Sequence, residues 1–138
     1  MYYNTKAEVV CSLPSGRKVV FWLDPNANVT AADITAMQTA VCGSGAGFDQ
    51  LNQLLGDVWG EAASNYRDDL IQDTGSVKQD INITIVNAPP STGWAGYFYG
   101  ANNILKTSAN YPMPNSNEAL VFFVNASQIK VSRPYAIS

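Results

Sequence analysis

The sequence predicts an α+β domain in which one or two helices back a small mixed β-sheet of three to five strands. β-branched and aromatic residues are concentrated in three segments, at about 18–24, 81–87 and 119–125. Helical patterns fill the interval between the first two segments, and a length of 138 residues fits a single domain or subdomain. We therefore expect the first two strands to be parallel and joined by a helical crossover.

The segment at about 18–24 contains Val-Val-Phe-Trp-Leu, which is almost continuously apolar and predicts a strand covered on both faces. A first helix is expected at about 30–42, because Thr30 and Asp33 have the spacing of a capping box. A second helix is expected at about 47–59, where apolar residues recur at helical spacing: Phe48, Leu51, Leu54, Leu55, Val58 and Trp59. This second helix should place its apolar side on the sheet.

Residues 61–80 are the most acidic part of the chain. Their carboxylates could supply oxygen ligands for calcium, although no EF-hand loop pattern is present. A solvated acidic surface is the more common outcome for such a segment. The sequence does not decide between these alternatives.

The last two strands enclose a long connection. Isoleucines alternate with polar residues at about 81–87, and a third strong run at about 119–125 is expected to be an edge strand. The connection, 91–118, is rich in Gly, Asn, Pro and aromatic residues, and a loop of this length in a compact domain is usually functional or disordered. Its aromatic residues argue against disorder: Trp94, Tyr97, Phe98 and Tyr99.

These aromatic residues could form a binding rim for a sugar or a peptide, or they could fold over the sheet and close the core. We expect Trp94 and Phe98 to be structural, and we leave both roles open for Tyr97 and Tyr99. The neighbouring glycines permit tight turns but form no phosphate-binding loop, because no Gly-Lys-Ser/Thr follows them.

Composition excludes several classes of function. The net charge of −3 and the absence of a basic stripe argue against nucleic acid as a partner. No apolar run is long enough to span a membrane, and no signal peptide is visible in this chain. The low charged fraction, 14%, and the many Asn, Ser and Thr residues favour a secreted or cell-surface protein.

The chain contains no histidine, and therefore lacks the commonest general base and the commonest zinc ligand. No serine or cysteine has a partner that could activate it as a nucleophile. Cys11 and Cys42 could form one disulfide, worth about 3 kcal/mol in the chain-entropy model, or remain two buried thiols. The sequence therefore identifies no catalytic residue and no metal ligand.

Three motifs in order carry a resemblance: Gly-Trp-Ala-Gly-Tyr-Phe at 93–98, Ser-Asn-Glu at 116–118, and Leu-Val-Phe-Phe-Val-Asn at 120–125. With them, the sequence resembles secreted bacterial zinc metallopeptidases of the hyicolysin type over roughly 8–138. In that family an H-E-x-x-H helix follows these motifs and supplies two zinc-binding histidines and the general base. That motif is absent here.

The resemblance implies the N-terminal half of a zincin catalytic domain, ending before the H-E-x-x-H helix. It implies no cofactor in this chain, zinc in the full-length parent, and a polypeptide substrate or the C-terminal remainder of the catalytic domain as partner. The substrate would add a strand to the edge of the sheet. On this basis we expect the substrate-binding positions to be Asn117, Glu118, Ala119, Val121, Phe123, Asn125, Trp94, Tyr97 and Tyr99.

Two other hypotheses remain at this point. The chain could be a stand-alone binding module for peptide or glycan that uses Trp94, Tyr97 and Tyr99, and an unpaired edge could also produce a homodimer. It could instead be a carboxylate enzyme that combines Glu118 with an acid from 68–80, which requires the two groups to share a cleft.

Overall fold

The computed structural model describes residues 4–45 and 47–131. Within these residues the chain forms a five-stranded sheet and three α-helices, which confirms the predicted α+β class. The elements are β1 (Lys6–Ser12), β2 (Lys18–Leu23), α1 (Ala31–Cys42), α2 (Gly47–Leu55), β3 (Ile81–Val86), β4 (Gly96–Phe98), β5 (Leu120–Asn125) and α3 (Ala126–Val131). None of the helices in this part of the chain has the length and apolar character needed to cross a lipid bilayer.

The strand order in the sheet is β1-β2-β3-β5-β4. β2 pairs with β3 in parallel, as the sequence predicted, and β3 pairs with β5 in parallel. The two outer pairs, β1 with β2 and β4 with β5, are antiparallel. Strands β2, β3 and β5 therefore form the parallel centre of a mixed sheet.

The prediction that 119–125 is an edge strand was wrong. β5 has a partner on each side, and the edge next to it is β4, a strand of three residues inside the predicted long loop 91–118. The chain turns back at Gly93, which has φ of +74°, a conformation that glycine adopts at low cost. The amide of Asn125 then donates a hydrogen bond of 2.9 Å to the carbonyl oxygen of Ala95, which fixes β4 against β5.

Helix α1 covers one face of the sheet. Thr30 caps it as predicted: its side chain accepts a hydrogen bond from the Asp33 amide, and the Asp33 carboxylate accepts one from the Thr30 amide. Ile34 and Met37 reach the core, and a disulfide joins Cys42, at the end of α1, to Cys11 in β1. The core under the helix is completed by Leu13, Val19, Phe21, Ala27, Ile81, Ile83, Ile85 and Ala126.

Helix α2 is shorter than the predicted 47–59. It ends at Leu55 because Gly56 has φ of +88°, and the Gly56 amide closes the last turn on the carbonyl oxygen of Asn52 at 3.0 Å. Only its first turn reaches the sheet, where Phe48 contacts Phe122. Leu54 and Leu55 are each 81% exposed, so most of the predicted apolar side remains on the surface.

An ion-pair cluster, formed by the buried Arg17 and the partly exposed Asp57 and Asp73, attaches the segment after α2 to the start of β2. The Arg17 side chain is fully buried and donates hydrogen bonds to both carboxylates and to the carbonyl oxygen of Gln79. Burial alone would raise the pKa of Asp57, but Arg17 outweighs it and lowers that pKa below its usual value. The hydrogen bond from Arg17 lowers the pKa of Asp73 in the same way.

Candidate functional site

The candidate site is the outer edge of β4. In an antiparallel pair, residues alternate between those whose backbone groups bond to the neighbouring strand and those whose groups turn away from it. The hydrogen bond from Asn125 to Ala95 sets this alternation, so Tyr97 bonds to Phe123 while Gly96 and Phe98 direct their N–H and C=O groups outwards. The edge thus presents backbone groups to an added strand at two residues.

One side of β4 carries the ring of Tyr97. It stacks on Phe123 of β5, with ring centroids 4.7 Å apart and planes 13° from parallel. Trp94 meets the same ring at nearly a right angle, with centroids 4.9 Å apart. Tyr97 remains 41% exposed, so its ring is held by two aromatic neighbours and still faces solvent. Three of the predicted binding positions therefore form one cluster.

The opposite side of β4, which faces the helices, carries Phe98. Its ring lies 5.2 Å from that of Phe122, which in turn lies 6.1 Å from that of Phe48 in α2. Phe98 is 48% exposed, so the expectation that it closes the core holds only in part. Each side of the edge therefore ends in a partly exposed aromatic ring.

Asn125 and Val121, two other predicted binding positions, are buried in the sheet. The Asn125 amide group donates to the Thr92 hydroxyl at 3.2 Å and to the Trp94 carbonyl oxygen at 3.0 Å, and its Oδ1 accepts hydrogen bonds from the Ser127 amide and hydroxyl. This side chain holds the turn before β4 and Ser127, near the start of α3, in place. The Asn125 side chain therefore stabilises the position of β4 and does not lie on the outer edge of that strand.

The remaining predicted positions, Asn117, Glu118 and Ala119, lie in or directly after the Ser-Asn-Glu motif and form hydrogen bonds that hold the connection between β4 and β5. The Ala119 amide donates to the Asn102 carbonyl oxygen at 2.9 Å, and Asn117 Nδ2 donates to Asn102 Oδ1 at 3.1 Å. Glu118 has φ of +52°, and its Oε1 accepts a hydrogen bond of 2.7 Å from the Lys106 amide. A left-handed glutamate is strained, and the bond to Lys106 helps to hold it.

Tyr99 lies just beyond β4, directly after Phe98. It lines a cavity of about 220 Å³ together with residues of the β4–β5 connection: Ala101, Asn102, Met113, Pro114, Asn115 and Ser116. More than half of the Tyr99 side chain is exposed.

Two acids of the 61–80 segment have structural partners. Asp69 is buried and accepts hydrogen bonds from the Ser108 hydroxyl at 2.7 Å and from Asn110 Nδ2 at 3.1 Å. Asp73 pairs with Arg17. These two carboxylates hold loops together, and a catalytic pairing of Glu118 with an acid from 68–80 stays a prediction.

The residues of this chain do not fit a zinc ion, which the resemblance implies only for the full-length parent. The sequence has no histidine, and its two cysteines are joined to each other. In the described ranges 4–45 and 47–131, no three His, Cys, Asp or Glu side chains are grouped closely enough to hold a metal ion. No catalytic step can be derived through a metal held by these side chains.

Sequence patterns did not indicate that the backbone groups of Gly96 and Phe98 would face outwards from the sheet. One signal was present: three successive aromatic residues, Tyr97 to Tyr99, lie between two glycines, which is a pattern compatible with a very short strand. The sequence also gave no indication that Asn102 would hold the Ser-Asn-Glu motif, because the contact depends on the fold of the loop.

A comparison with protein-family models matches residues 4–137 to the model described as Peptidase M30. Comparisons with curated proteins and with solved structures find no match. The family match covers nearly the whole chain and confirms the resemblance to hyicolysin-type peptidases that rested on the motifs at 93–98, 116–118 and 120–125. The chain belongs to the peptidase M30 family.

Proposed function

We propose that this chain is the N-terminal subdomain of a secreted zinc metalloendopeptidase and that it binds an extended polypeptide substrate along β4. The exposed edge of β4, where Gly96 and Phe98 offer outward N–H and C=O groups, carries this proposal. An extended chain that pairs with such an edge gains backbone hydrogen bonds whatever its sequence. This property suits a peptidase, whose substrate must be held in an extended form.

The substrate would pair with β4, whereas the sequence predicted pairing with the strand that is now β5. Residues 119–125 then support the edge: Phe123 packs under Tyr97, and Asn125 fastens the turn that leads into β4. Trp94 and Tyr97 keep a direct role, because they line the exposed side of this strand. Asn117, Glu118 and Ala119 shape the loop that follows it.

Metal binding and proton transfer are assigned to another part of the peptidase. The 138 residues contain no histidine, so an H-E-x-x-H motif cannot come from them. The exposed leucines of α2 suggest where that part packs, since Leu51, Leu54 and Leu55 form an apolar surface on the helix that lies beside the sheet. We propose that this surface contacts the C-terminal remainder of the catalytic domain.

Secretion is supported by the disulfide between Cys11 and Cys42, which ties β1 to α1 across 31 residues of sequence. Such bonds persist mainly in oxidising compartments outside the cytosol. The low charged fraction is consistent with this location.

The test uses the 138-residue chain labelled with ¹⁵N and titrated with casein, a disordered polypeptide. We expect the amide signals of Gly96 and Phe98 to shift, with no hydrolysis of casein and no stoichiometric zinc in the purified chain. If casein leaves these two amides unchanged, the substrate-binding role of β4 is wrong. If the pure chain hydrolyses casein and a zinc chelator stops it, the assignment of catalysis to another part is wrong.

A dilution series without casein provides the control. If the Gly96 and Phe98 signals depend on the concentration of the chain itself, a second copy pairs with β4, and the edge serves a homodimer. If Leu51, Leu54 and Leu55 shift with dilution instead, self-association uses the surface proposed for the C-terminal remainder.

A further inference from the structure

Resting on the proposed function, we infer that the substrate position opposite Tyr97 selects an aromatic side chain. Tyr97 is bonded to β5, so its own backbone groups point away from the outer edge, and a substrate strand added antiparallel to β4 faces Tyr97 in a non-hydrogen-bonded pair. The α-carbons in such a pair are only about 4.5 Å apart, closer than in the neighbouring hydrogen-bonded pairs. The side chain opposite Tyr97 therefore makes the closest lateral contact that the edge offers.

The sheet already contains a row of side chains that leads to this position. Thr84 of β3 lies opposite Phe123 of β5, and Phe123 lies opposite Tyr97 of β4. The rings of Phe123 and Tyr97 are nearly parallel, and Trp94 meets Tyr97 edge-on, so the Tyr97 ring is oriented before any peptide arrives. An aromatic side chain on an added strand would extend the row by one member.

The surroundings favour an apolar contact over a charged one. No Asp, Glu, Lys or Arg occurs between Asp80 and Lys106, a stretch that contains all of β3 and β4. The partly exposed rings of Tyr97 and Phe98 are the main side-chain surfaces of the edge. Aromatic pairs across strands add to affinity beyond the area they bury, whereas an Asp or Glu side chain here would lose water without gaining a cationic partner.

The test compares two blocked peptides, Ac-Lys-Thr-Phe-Thr-Lys-NH₂ and Ac-Lys-Thr-Ala-Thr-Lys-NH₂, in titrations of the ¹⁵N-labelled chain. We expect the Phe peptide to bind about tenfold more tightly than the Ala peptide. This ratio of affinities corresponds to one aromatic pair together with the apolar surface that the pair buries. In the Tyr97→Thr variant the ratio should fall to about twofold. Tyr97→Phe, which keeps the ring, should retain most of the wild-type ratio.

Tyr66→Thr is the matched control, because Tyr66 is also an exposed tyrosine but lies in the segment Glu61–Tyr66, outside the sheet, and its ratio should equal that of the wild type. Equal binding of both peptides to the wild type, with shifts at Gly96 and Phe98, would overturn the aromatic preference while leaving the proposed function intact. Absence of shifts at these two amides with either peptide would overturn the substrate-binding edge itself. A ratio that survives in a folded Tyr97→Thr variant would assign the selection to another residue.

Discussion

Replacing Arg17 with methionine tests whether one buried side chain holds the segment after α2 in place. Arg17 donates five hydrogen bonds, four of them to the carboxylates of Asp57 and Asp73. Removing one partner of a buried ion pair costs about 3 to 5 kcal/mol. The two aspartate side chains keep 33% and 28% of their surface exposed, so water can partly replace Arg17. We therefore expect the lower end, about 3 kcal/mol, or a fall in Tm of about 10 °C.

The assay is urea unfolding at pH 7, followed by the fluorescence of the three tryptophans. Lys78→Met is the control for loss of an exposed charge: the Lys78 ammonium also lowers the pKa values of Asp57 and Asp73, but it is exposed, and its hydrogen bond to the carbonyl oxygen of Ser15 is long, at 3.4 Å. Its loss should therefore cost less than about 0.5 kcal/mol. A cost below about 1 kcal/mol for Arg17→Met would refute the reasoning.

The same cluster should make stability depend on pH. The pKa values of Asp57 and Asp73 are lowered in the folded chain, so their ion pairs stabilise the fold above the unfolded-state pKa, near pH 4. This stabilisation is lost as the pH falls through the lower folded-state pKa values. The difference in unfolding free energy between the wild type and Arg17→Met should therefore shrink below about pH 4. A difference that grows in acid would contradict this assignment.

Other substitutions distinguish residues that stabilise the fold from residues that lie on its exposed surface. Replacing both Cys11 and Cys42 with alanine should lower the free energy of unfolding by about 3 kcal/mol in urea titrations, and a loss below about 1 kcal/mol would argue against a native disulfide. Asn125→Ala should cost about 2 kcal/mol, because it removes a buried side chain that makes four hydrogen bonds, and hydrogen exchange should show faster exchange at β4. Replacing Leu54 and Leu55 with serine should change the free energy of unfolding by less than about 0.5 kcal/mol, since both are exposed; a large loss would mean that the chain itself covers them.

Much of the sheet could be predicted from local patterns. β2, β3 and β5 are the segments with the strongest β-forming residues, and each was expected within one or two residues of its observed bounds. The start of α1 was also predictable, because a capping box depends on residues three positions apart. These features follow from neighbours in the sequence.

The errors arose where distant contacts decide the outcome. β4 is only three residues long and is a strand because it pairs with Phe122 to Val124, so no periodic pattern could reveal it. Without β4, β5 was assigned to the edge. The apolar spacing that predicted α2 continued past Gly56 to Trp59, which is also partly buried. Trp59 lies outside the helix, however, and its indole N–H donates a hydrogen bond to the Ile71 carbonyl oxygen.

The candidate site was predictable in part. The motifs at 93–98 and 120–125 identified the family and the region, and both contribute to the observed edge. Which residues face outwards depends on the hydrogen-bond alternation between β4 and β5, which the sequence does not specify. The Arg17 cluster is a similar case, because its carboxylates lie 40 and 56 residues further along the chain.

The most direct test of the substrate-binding edge is the affinity of backbone-methylated versions of Ac-Lys-Thr-Phe-Thr-Lys-NH₂. In an antiparallel alignment with Phe opposite Tyr97, the two threonines lie opposite Gly96 and Phe98, and their N–H groups point at β4. N-methylation of either threonine should weaken binding at least tenfold, whereas N-methylation of the phenylalanine should leave the affinity nearly unchanged. Equal effects at all three positions, or loss of binding only on methylation of the phenylalanine, would contradict the account.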